Sequence, residues 1–274
     1  MNRQFPVALP EGYVDFYKNL ESWQNEQQIK LNQEYVAEKI NLNKLLANSS
    51  KPVVNSINFK IDAAKYKSLY LELLLFLKEN RPEIKASMTK INEHIDQLDF
   101  ELLSAQLLAD NQEYFLELAN RLEVPHELLF FTVDHALRPL LRLYAKPYYG
   151  DFVTEDFLPV NAPNICPFCG CKSHFSRLRS EDNQRFMFCD RCFTEWIVRY
   201  LYCVHCGNDE PGTISYISLE NDVAYQIYTC DKCKGYLKSY DEREAGKMTD
   251  LFIANIETIY LDMLAQEKGY ITHD

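Results

Sequence analysis

The chain has 274 residues, of which 47% are hydrophobic, and it carries a formal net charge of −11 at pH 7. This length and apolar content predict two folded domains, or one large domain, with a buried core. No uncharged apolar run approaches the roughly 18 residues of a transmembrane helix, and the N-terminal segment lacks the apolar region of a secretory signal. We therefore expect a cytoplasmic protein without membrane contact.

The first half of the chain has apolar residues at helical spacing. Residues 11–48 are predicted to form a helix that breaks, or becomes more polar, near Asn25. A breaker at residues 48–52 and an irregular stretch over residues 53–61 follow. Asp62 then stands where it can cap a helix with a strongly apolar face. That face comprises Tyr66, Leu69, Tyr70, Leu73, Leu74 and Leu77.

Three shorter helices are predicted next, and they begin at or after Pro82, Asp99 and Asn111. The first is expected to turn Ile84, Met88, Ile91 and Ile95 inward, and the second carries Leu102, Leu103 and Leu107. Residues 126–146 form the most apolar helix, with a kink expected at Pro139. The pattern predicts an all-α domain over residues 1–150 with about five to seven helices. A linker over residues 151–163 follows it.

All nine cysteines lie within residues 166–233. Eight of them form four Cys-x-x-Cys knuckles, which are Cys166 with Cys169, Cys189 with Cys192, Cys203 with Cys206, and Cys230 with Cys233. Two thiolates separated by two residues can bind one metal ion from a single turn, and two such turns complete a tetrahedral sulfur site for zinc or a single iron. Gly170 and Gly207 permit the positive φ that such turns often need. The spacing therefore predicts two metal sites, each with four cysteine ligands.

The cysteine segment also has the pattern of a duplication. In each half, one knuckle leads into a predicted β-hairpin that returns to the next knuckle. The two hairpins pair residues 175–178 with 185–188, and residues 213–219 with 224–229. This pattern favours sequential pairing, in which the first two knuckles form one site and the last two form the other. A cross-braced arrangement, with knuckle 1 paired to 3 and 2 to 4, is the alternative.

These and nearby residues also admit other chemistry. A redox dithiol and disulfides are alternatives for the cysteines, but four pairs in tandem favour metal binding. Cys171 is expected to be a free thiol beside the first site, with a spare or redox-active ligand as the alternative. His94, His126 and His135 lack ligand spacing, and Asp134-His135 has no accompanying nucleophile motif. No phosphate loop or metalloprotease motif occurs, so we predict that the chain is not an enzyme.

The remaining segments complete an α+β fold. Residues 193–202 are predicted to form a strand between the two halves, where Trp196 would pack. A helix over residues 247–268 is expected to pack back on the modules or on the helical domain. The predicted architecture is the all-α domain, a first rubredoxin-like or zinc-ribbon module over residues 164–202, a second over residues 203–240, and the C-terminal helix.

Residues 164–272 resemble the FdhE family of formate dehydrogenase accessory proteins. The motifs that carry the resemblance are Cys166-Pro-Phe-Cys169-Gly, Cys189-Asp-Arg-Cys192-Phe-Thr-Glu-Trp196, Cys203-Val-His-Cys206, Cys230-Asp-Lys-Cys233-Lys-Gly-Tyr-Leu-Lys238 and the ending Gln266-Glu-Lys-Gly-Tyr270. The family often has a proline shortly after the first knuckle, where this chain has Cys171-Lys-Ser.

The resemblance implies a cytoplasmic factor needed for an active formate dehydrogenase, which binds the catalytic subunit of that enzyme. It also implies two rubredoxin-like sites, with iron as the favoured metal and zinc as the alternative. Self-association is compatible with it. The candidate partner contacts are residues beside the ligands that match the family, namely Thr194, Glu195, Trp196, Tyr236 and Lys238. Packing around the ligands is the alternative role of these residues.

Two other functions are compatible with parts of the sequence. A single iron on four thiolates can change its oxidation state, so the sites could exchange electrons with a client enzyme. A nucleic-acid-binding ribbon is disfavoured, because residues 161–240 contain nine Lys/Arg against nine Asp/Glu. The arginines that could form a local basic patch are Arg177, Arg179, Arg185, Arg191 and Arg199. A solvated, internally paired face is the expected alternative for them.

Overall fold

The computed structural model of the chain describes residues 8–33, 51–56, 60–154 and 163–273. The helices before the cysteine segment are α1 Tyr13–Asn32, α2 Val53–Ser56, α3 Ala63–Asn80, α4 Lys85–Glu93, α5 Phe100–Leu108, α6 Gln112–Leu122 and α7 His126–Ala145. Short 3₁₀ turns cover Pro82–Ile84, Ile95–Gln97 and Lys146–Tyr148. None of the described helices is long and apolar enough to cross a membrane.

Three predicted helix caps are confirmed. The side chains of Asp62, Asp99 and Asn111 accept hydrogen bonds from backbone N–H groups three residues later. The predicted apolar face of α3 is buried in full. Helix α5 turns Phe100, Leu103 and Leu107 inward, and Leu102 is 41% exposed.

One segment of the helical part differs from the prediction, and part of another lies outside the described residues. Helix α1 ends at Asn32. It was expected to continue to residue 48, but residues 34–48 lie outside the described residues. The stretch expected to be irregular begins with helix α2. Its first two N–H groups donate to the carbonyls of Pro167 and Phe168 in the first knuckle, at 2.9 and 3.1 Å. These long-range bonds satisfy the first N–H groups of a short helix that the local sequence does not predict.

Helix α7 is held to α1 where its own hydrogen bonding is incomplete. It runs through Pro139, which has no N–H to donate to the carbonyl of His135. Instead, Nε2 of the fully buried Gln24 on α1 donates to that carbonyl at 2.9 Å. Oε1 of the same amide accepts from Nη2 of Arg142 at 2.9 Å. One glutamine therefore satisfies both the proline-exposed carbonyl and a buried guanidinium.

Six strands form one sheet in the order β3-β2-β1-β6-β5-β4. They are β1 Phe175–Leu178, β2 Arg185–Phe188, β3 Glu195–Val198, β4 Ile214–Ser218, β5 Tyr225–Cys230 and β6 Tyr236–Asp241. Both predicted hairpins are confirmed, as the antiparallel pairs β1–β2 and β4–β5. The strand expected over residues 193–202 is limited to β3, which pairs with β2 at one edge of the sheet.

The two halves of the cysteine segment share this sheet. Each half contributes three antiparallel strands, and β1 pairs in parallel with β6 to join them. Phe175 lies opposite Lys238, and Leu178 lies opposite Asp241. The predicted α+β class with two cysteine-containing β units is confirmed, and the units are fused edge to edge rather than strung in tandem.

The end of the chain forms three short helices, α8 Glu242–Ala245, α9 Leu251–Glu257 and α10 Ile259–Glu267. The single helix predicted over residues 247–268 is therefore two helices. Asp250 caps α9, and the buried hydroxyl of Thr258 donates to the carbonyls of Ala254 and Asn255 where the helix is interrupted. No glycine or proline marks this break in the sequence.

Each face of the sheet is covered by a different apolar cluster. Leu178, Met187 and Trp196 pack into the core of the helical region. On the opposite face, Phe175 and Tyr240 pack with residues of α9 and α10. The sheet therefore lies between the helical region and the C-terminal helices. Its cysteine knuckles lie where the sheet meets these helices.

Candidate metal centres

The eight paired cysteines gather in two groups of four. Cys166, Cys169, Cys189 and Cys192 form the first centre, and Cys203, Cys206, Cys230 and Cys233 form the second. Within each centre all four sulfurs lie within 4.8 Å of one another. The membership is that of sequential pairing, and none of these cysteines forms a disulfide.

All four knuckles share one backbone geometry. In each, the N–H of the residue after the second cysteine donates to the carbonyl of the first cysteine, at 2.8–3.0 Å. That residue has a positive φ in every case: Gly170, Phe193, Gly207 and Lys234 lie between 58° and 77°. Glycine removes the steric cost at two of them. Phe193 and Lys234 adopt the same conformation with a side chain, so the knuckle fold imposes it.

The sulfur spacing fits a tetrahedral metal ion. Four sulfurs at about 2.3 Å from a metal lie about 3.8 Å apart. The sulfur–sulfur distances are 3.5 Å for Cys166–Cys192 and for Cys169–Cys189 in the first centre. They are 3.6 Å for Cys203–Cys233 and 3.8 Å for Cys206–Cys230 in the second. These residues could hold two ions, and four protein ligands leave no open position on either.

The first centre is enclosed by the helical region. All four of its cysteines are fully buried. A Cβ atom at Gly170 would lie 3.1 Å from Pro52, so the knuckle packs closely on the start of α2. The Tyr149 hydroxyl donates to the carbonyl of Cys192 at 2.7 Å. The first centre therefore joins two parts of the molecule as well as two knuckles.

A buried charge network fixes the second knuckle of the first centre to α7. Asp134 accepts from Nε of Arg191 at 2.6 Å and from Nε of Arg138 at 2.8 Å. Nη1 of Arg138 also donates to the carbonyl of Asp190, between the two cysteines of the knuckle. Burial alone would raise the pKa of the Asp134 carboxyl, but Arg138 and Arg191 hold it well below its usual range. The carboxylate is therefore charged and bridges α7 to the knuckle.

In the sequence, Asp134 stands out only as the first residue of Asp134-His135, which resembles part of a catalytic site. Its neighbour His135 is buried, and burial holds the pKa of that ring well below its usual range. Arg191 was expected on a solvated, internally paired face; it is paired with Asp134, but it is buried at 8% exposure. Arg177 is likewise 8% exposed and paired with Glu195 and Glu242. The only sequence signal for this network was a charge inside a knuckle.

The second centre lies nearer the solvent. Cys206 is exposed and Cys233 is partly exposed, whereas Cys203 and Cys230 are buried. Nδ2 of Asn208 donates to the Cys230 sulfur at 3.5 Å, and the N–H of Gly235 donates to the Cys233 sulfur at 3.3 Å. Such bonds stabilise thiolate charge. One edge of a bound ion's sulfur shell would thus face water at the second centre.

Cys171 occupies the place that Asn208 has in the second centre. The carbonyls of Cys171 and Asn208 accept from the N–H groups of Cys166 and Cys203 in equivalent knuckle bonds. Each side chain lies beside the first cysteine of the partner knuckle: Asn208 beside Cys230, and Cys171 within 4.8 Å of the Cys189 sulfur. The ninth cysteine therefore lies against the sulfur shell of the first centre without completing it.

Four of the five candidate partner contacts lie inside the molecule. Thr194 and Trp196 are fully buried; the Thr194 hydroxyl lies 3.1 Å from the Cys192 sulfur, and the Trp196 ring N–H donates to the carbonyl of Pro163. Tyr236 and Lys238, at 1% and 4% exposure, both bond to the carboxylate of Asp262 on α10. Glu195 is partly exposed and pairs with Arg177.

The sequence matches a known family in its last part and known proteins over a longer stretch. Residues 201–274 match the family model "FdhE, C-terminal domain". A protein FdhE homolog of Aquifex aeolicus is 36% identical over 149 residues, which are 53% of this chain and 49% of that protein. A homolog of Pasteurella multocida is 30% identical over 110 residues, 39% of this chain and 34% of that protein. The protein FdhE of Escherichia coli is 29% identical over 109 residues, which are 38% of this chain and 34% of that protein.

The matches therefore span about half the length of the Aquifex relative and about a third of the other two. The fold similarity is more extensive. The crystal structure of the FdhE protein from Pseudomonas aeruginosa superposes with a TM-score of 0.61 and 18% identity, over 94% of this chain and 87% of that one. The similarity of fold thus extends over most of the helical region.

Proposed function

Because the chain belongs to the FdhE family, we propose that it is an accessory protein that binds the catalytic subunit of formate dehydrogenase during its maturation. The observation that carries this proposal is the pair of four-cysteine centres on one sheet. A complete set of four sulfurs leaves no ligand position for a substrate, so such centres stabilise a surface rather than perform chemistry on a bound molecule. The proposed role is binding and not catalysis. We assign it to the cytoplasm, where thiolates stay reduced.

The two centres have different parts in this proposal. The buried first centre joins the helical region to the sheet. We propose a docking face beside the second centre, defined by Leu201, Cys206 and Tyr216. Leu201 stands two residues before Cys203, and the ring of Tyr216 contacts Tyr228, two residues before Cys230. Leu201 and Tyr216 are 59% and 60% exposed. Exposed leucine and tyrosine beside a rigid metal knuckle are suited to a protein partner, because such side chains bury large apolar area at little entropic cost.

The five residues expected to contact the partner have different parts in this proposal. Tyr236 and Lys238 hold α10 against β6 through Asp262. Thr194 and Trp196 pack around the first centre. We propose that these four act indirectly, by keeping the knuckles in place. Glu195 retains solvent access and is the one of the five that we keep as a direct contact.

The docking face is tested by co-purification of the catalytic subunit of formate dehydrogenase with the tagged chain. Leu201→Asp combined with Tyr216→Asp is expected to weaken binding at least about tenfold, because both changes place a charge where apolar area would be buried. Leu75→Asp is the matched control, since Leu75 is also 59% exposed but lies on α3. Equal binding by the double variant and wild type would reject the docking face, and no binding by wild type would reject the proposed partner.

Electron exchange with a client enzyme is the second candidate function. Exposure of Cys206 favours it, because an electron reaches a metal most easily through a ligand near the surface. We propose two metal ions per chain, with rubredoxin-type iron favoured over zinc. Anaerobically purified protein is then expected to show a red thiolate-to-iron band that dithionite bleaches. Two zinc ions and no colour would exclude this candidate, because zinc has no redox chemistry here.

A further inference from the structure

Residues 270–273 cross the fourth cysteine knuckle, and we call this segment the strap. Gly269, just after α10, turns the chain toward the knuckle with a φ of 82°. The N–H of Gly269 donates to the carbonyl of Gln266 at 2.9 Å, and the N–H of Tyr270 donates to the carbonyl of Ala265 at 3.0 Å. These two bonds form a Schellman motif, which ends a helix and redirects the chain. The motif Gln266-Glu-Lys-Gly-Tyr270 therefore leads the chain from α10 to the second centre.

Helix α10, from which the strap starts, is bound to the strand that leaves the fourth knuckle. The carboxylate of Asp262 on α10 accepts from the Tyr236 hydroxyl at 3.0 Å and from Nζ of Lys238 at 2.7 Å. Both donors lie on β6, and Lys238 is 4% exposed. Separating a buried ion pair is costly. The strap therefore begins from a helix whose position relative to β6 is fixed.

The strap holds the backbone of the fourth knuckle from outside. The N–H of Ile271 donates to the carbonyl of Lys234 at 2.7 Å, and Ile271 forms a parallel bridge with Gly235. Lys234 carries a side chain at a positive φ of 58°, which costs free energy that a glycine would not lose. The Tyr270 hydroxyl donates to Oδ1 of Asp231, between the two cysteines, at 3.2 Å. These bonds stabilise a knuckle conformation that its own residues do not favour.

The strap also contacts the third knuckle. Nε2 of His273 lies 3.1 Å from the carbonyl oxygen of Cys233, and the centre of its ring lies 5.1 Å from that of His205. His205 stands inside the third knuckle. A Cβ atom at Gly235 would lie 2.8 Å from Cδ2 of both histidines, so the two rings pack closely on the chain that leaves the fourth knuckle. The strap thus joins both knuckles of the second centre.

The two centres differ in what surrounds them. In the first centre all four cysteines are buried, one knuckle packs on α2, and the other is bound to α7 through Asp134. In the second centre Cys206 is exposed and Cys233 is partly exposed. A competing ligand can approach an exposed thiolate, but four thiolates hold the ion, so release requires a knuckle to move. The strap limits that movement in the fourth knuckle.

We propose that the strap controls exchange of the metal ion at the second centre. While the strap is in place, Cys230 and Cys233 stay at the ion. When the strap lifts, the fourth knuckle can move, and its two thiolates can give the ion to a competing thiolate or nitrogen ligand. Tyr270, Ile271 and His273 are positioning residues, since they act through the knuckle and not on the ion. The inference does not depend on the docking face.

Ile271→Pro tests the strap at a single bond. Proline has no N–H, so the carbonyl of Lys234 loses its donor, whereas the matched control Ile271→Ala keeps the N–H and removes a side chain that is 51% exposed. Metal-loaded protein is mixed with excess pyridylazoresorcinol, whose colour reports released metal. The second-centre phase is the one that is missing in Cys206→Ser. We expect it to be at least about tenfold faster in Ile271→Pro, and within about twofold of wild type in Ile271→Ala.

Hydrogen exchange in the wild-type protein gives a readout that needs no variant to fold. The Ile271 N–H exchanges only when its bond to Lys234 opens, so with excess chelator the second-centre ion should leave no faster than this bond opens. Release faster than that opening would overturn the proposal. So would equal release rates in Ile271→Pro and Ile271→Ala. Equal acceleration of both phases in Ile271→Pro would also reject it, because the change would then reflect a general loss of stability.

Discussion

Replacing Cys169 with serine is expected to remove the metal of the first centre and to unfold the junction between the helices and the sheet. Cys169 is fully buried, and its sulfur lies 3.5 Å from that of Cys189. Structural zinc contributes about 10–16 kcal/mol to small metal-dependent folds at pH 7, so its loss exceeds the whole stability of an ordinary domain. Metal content should fall from two ions to one, and limited proteolysis should cut both the sheet and the helical region.

Cys206→Ser is the matched comparison, because it removes the same ligand atom from the exposed second centre. It should also release one metal ion, but the helical region should keep its resistance to protease, since Cys206 is exposed whereas the first knuckle packs on the start of α2. Equal protease sensitivity of the two variants would contradict the assignment of the first centre as the structural junction.

Asp134→Asn is expected to lower the free energy of unfolding by about 3–5 kcal/mol, the cost of breaking a buried ion pair by removal of one partner. The asparagine keeps the shape of the side chain but leaves Arg191 without its carboxylate partner, and it leaves Arg138 with only the longer contact to Asp190 at 3.6 Å. Urea denaturation followed by circular dichroism measures the change. Because the charge network ends in the second knuckle, the variant should also release the metal of the first centre more readily to a chelator.

Asp96→Asn is the control for this effect. Asp96 pairs with Lys67 at 2.7 Å, but its side chain is 89% exposed. Exposed ion pairs contribute at most about 1 kcal/mol, so this variant should unfold close to wild type. A loss of less than about 1 kcal/mol in Asp134→Asn as well would mean that water or a rearranged side chain compensates the two arginines, and the bridge would not hold the knuckle.

The sequence predicted those parts of the molecule that depend on residues close together in the chain. A Cys-x-x-Cys turn, a hairpin around polar residues and a helix cap each depend on a few neighbouring residues. The spacing therefore predicted the composition of both four-cysteine groups, and capping chemistry placed the starts of α3, α5 and α6. The apolar stripe of α3 was predictable because helical geometry alone brings its members to one side.

The parts that were missed depend on pairs of residues far apart in the chain. Nothing local in β1 or β6 specifies that they pair in parallel, and Asp134 meets Arg191 only after the sheet has packed on α7. The break at Thr258 depends on hydrogen bonds from its hydroxyl to helix carbonyls, which a threonine exposed to water would not favour. The burial of four candidate partner contacts was likewise not evident from the sequence, because a residue next to a metal ligand can lie in the interior as readily as on a surface.

The parallel pairing of β1 with β6 has a consequence for synthesis of the chain. About 60 residues separate the two strands, and ribosomes add ~5–20 residues per second, so β1 waits several seconds for its partner. During that interval its hydrogen-bonding edge is open to other chains. The two knuckles of the first centre are complete before β6 emerges, so metal can bind there first. Metal supply during translation then determines whether these two knuckles are held together while the edge of β1 is still open.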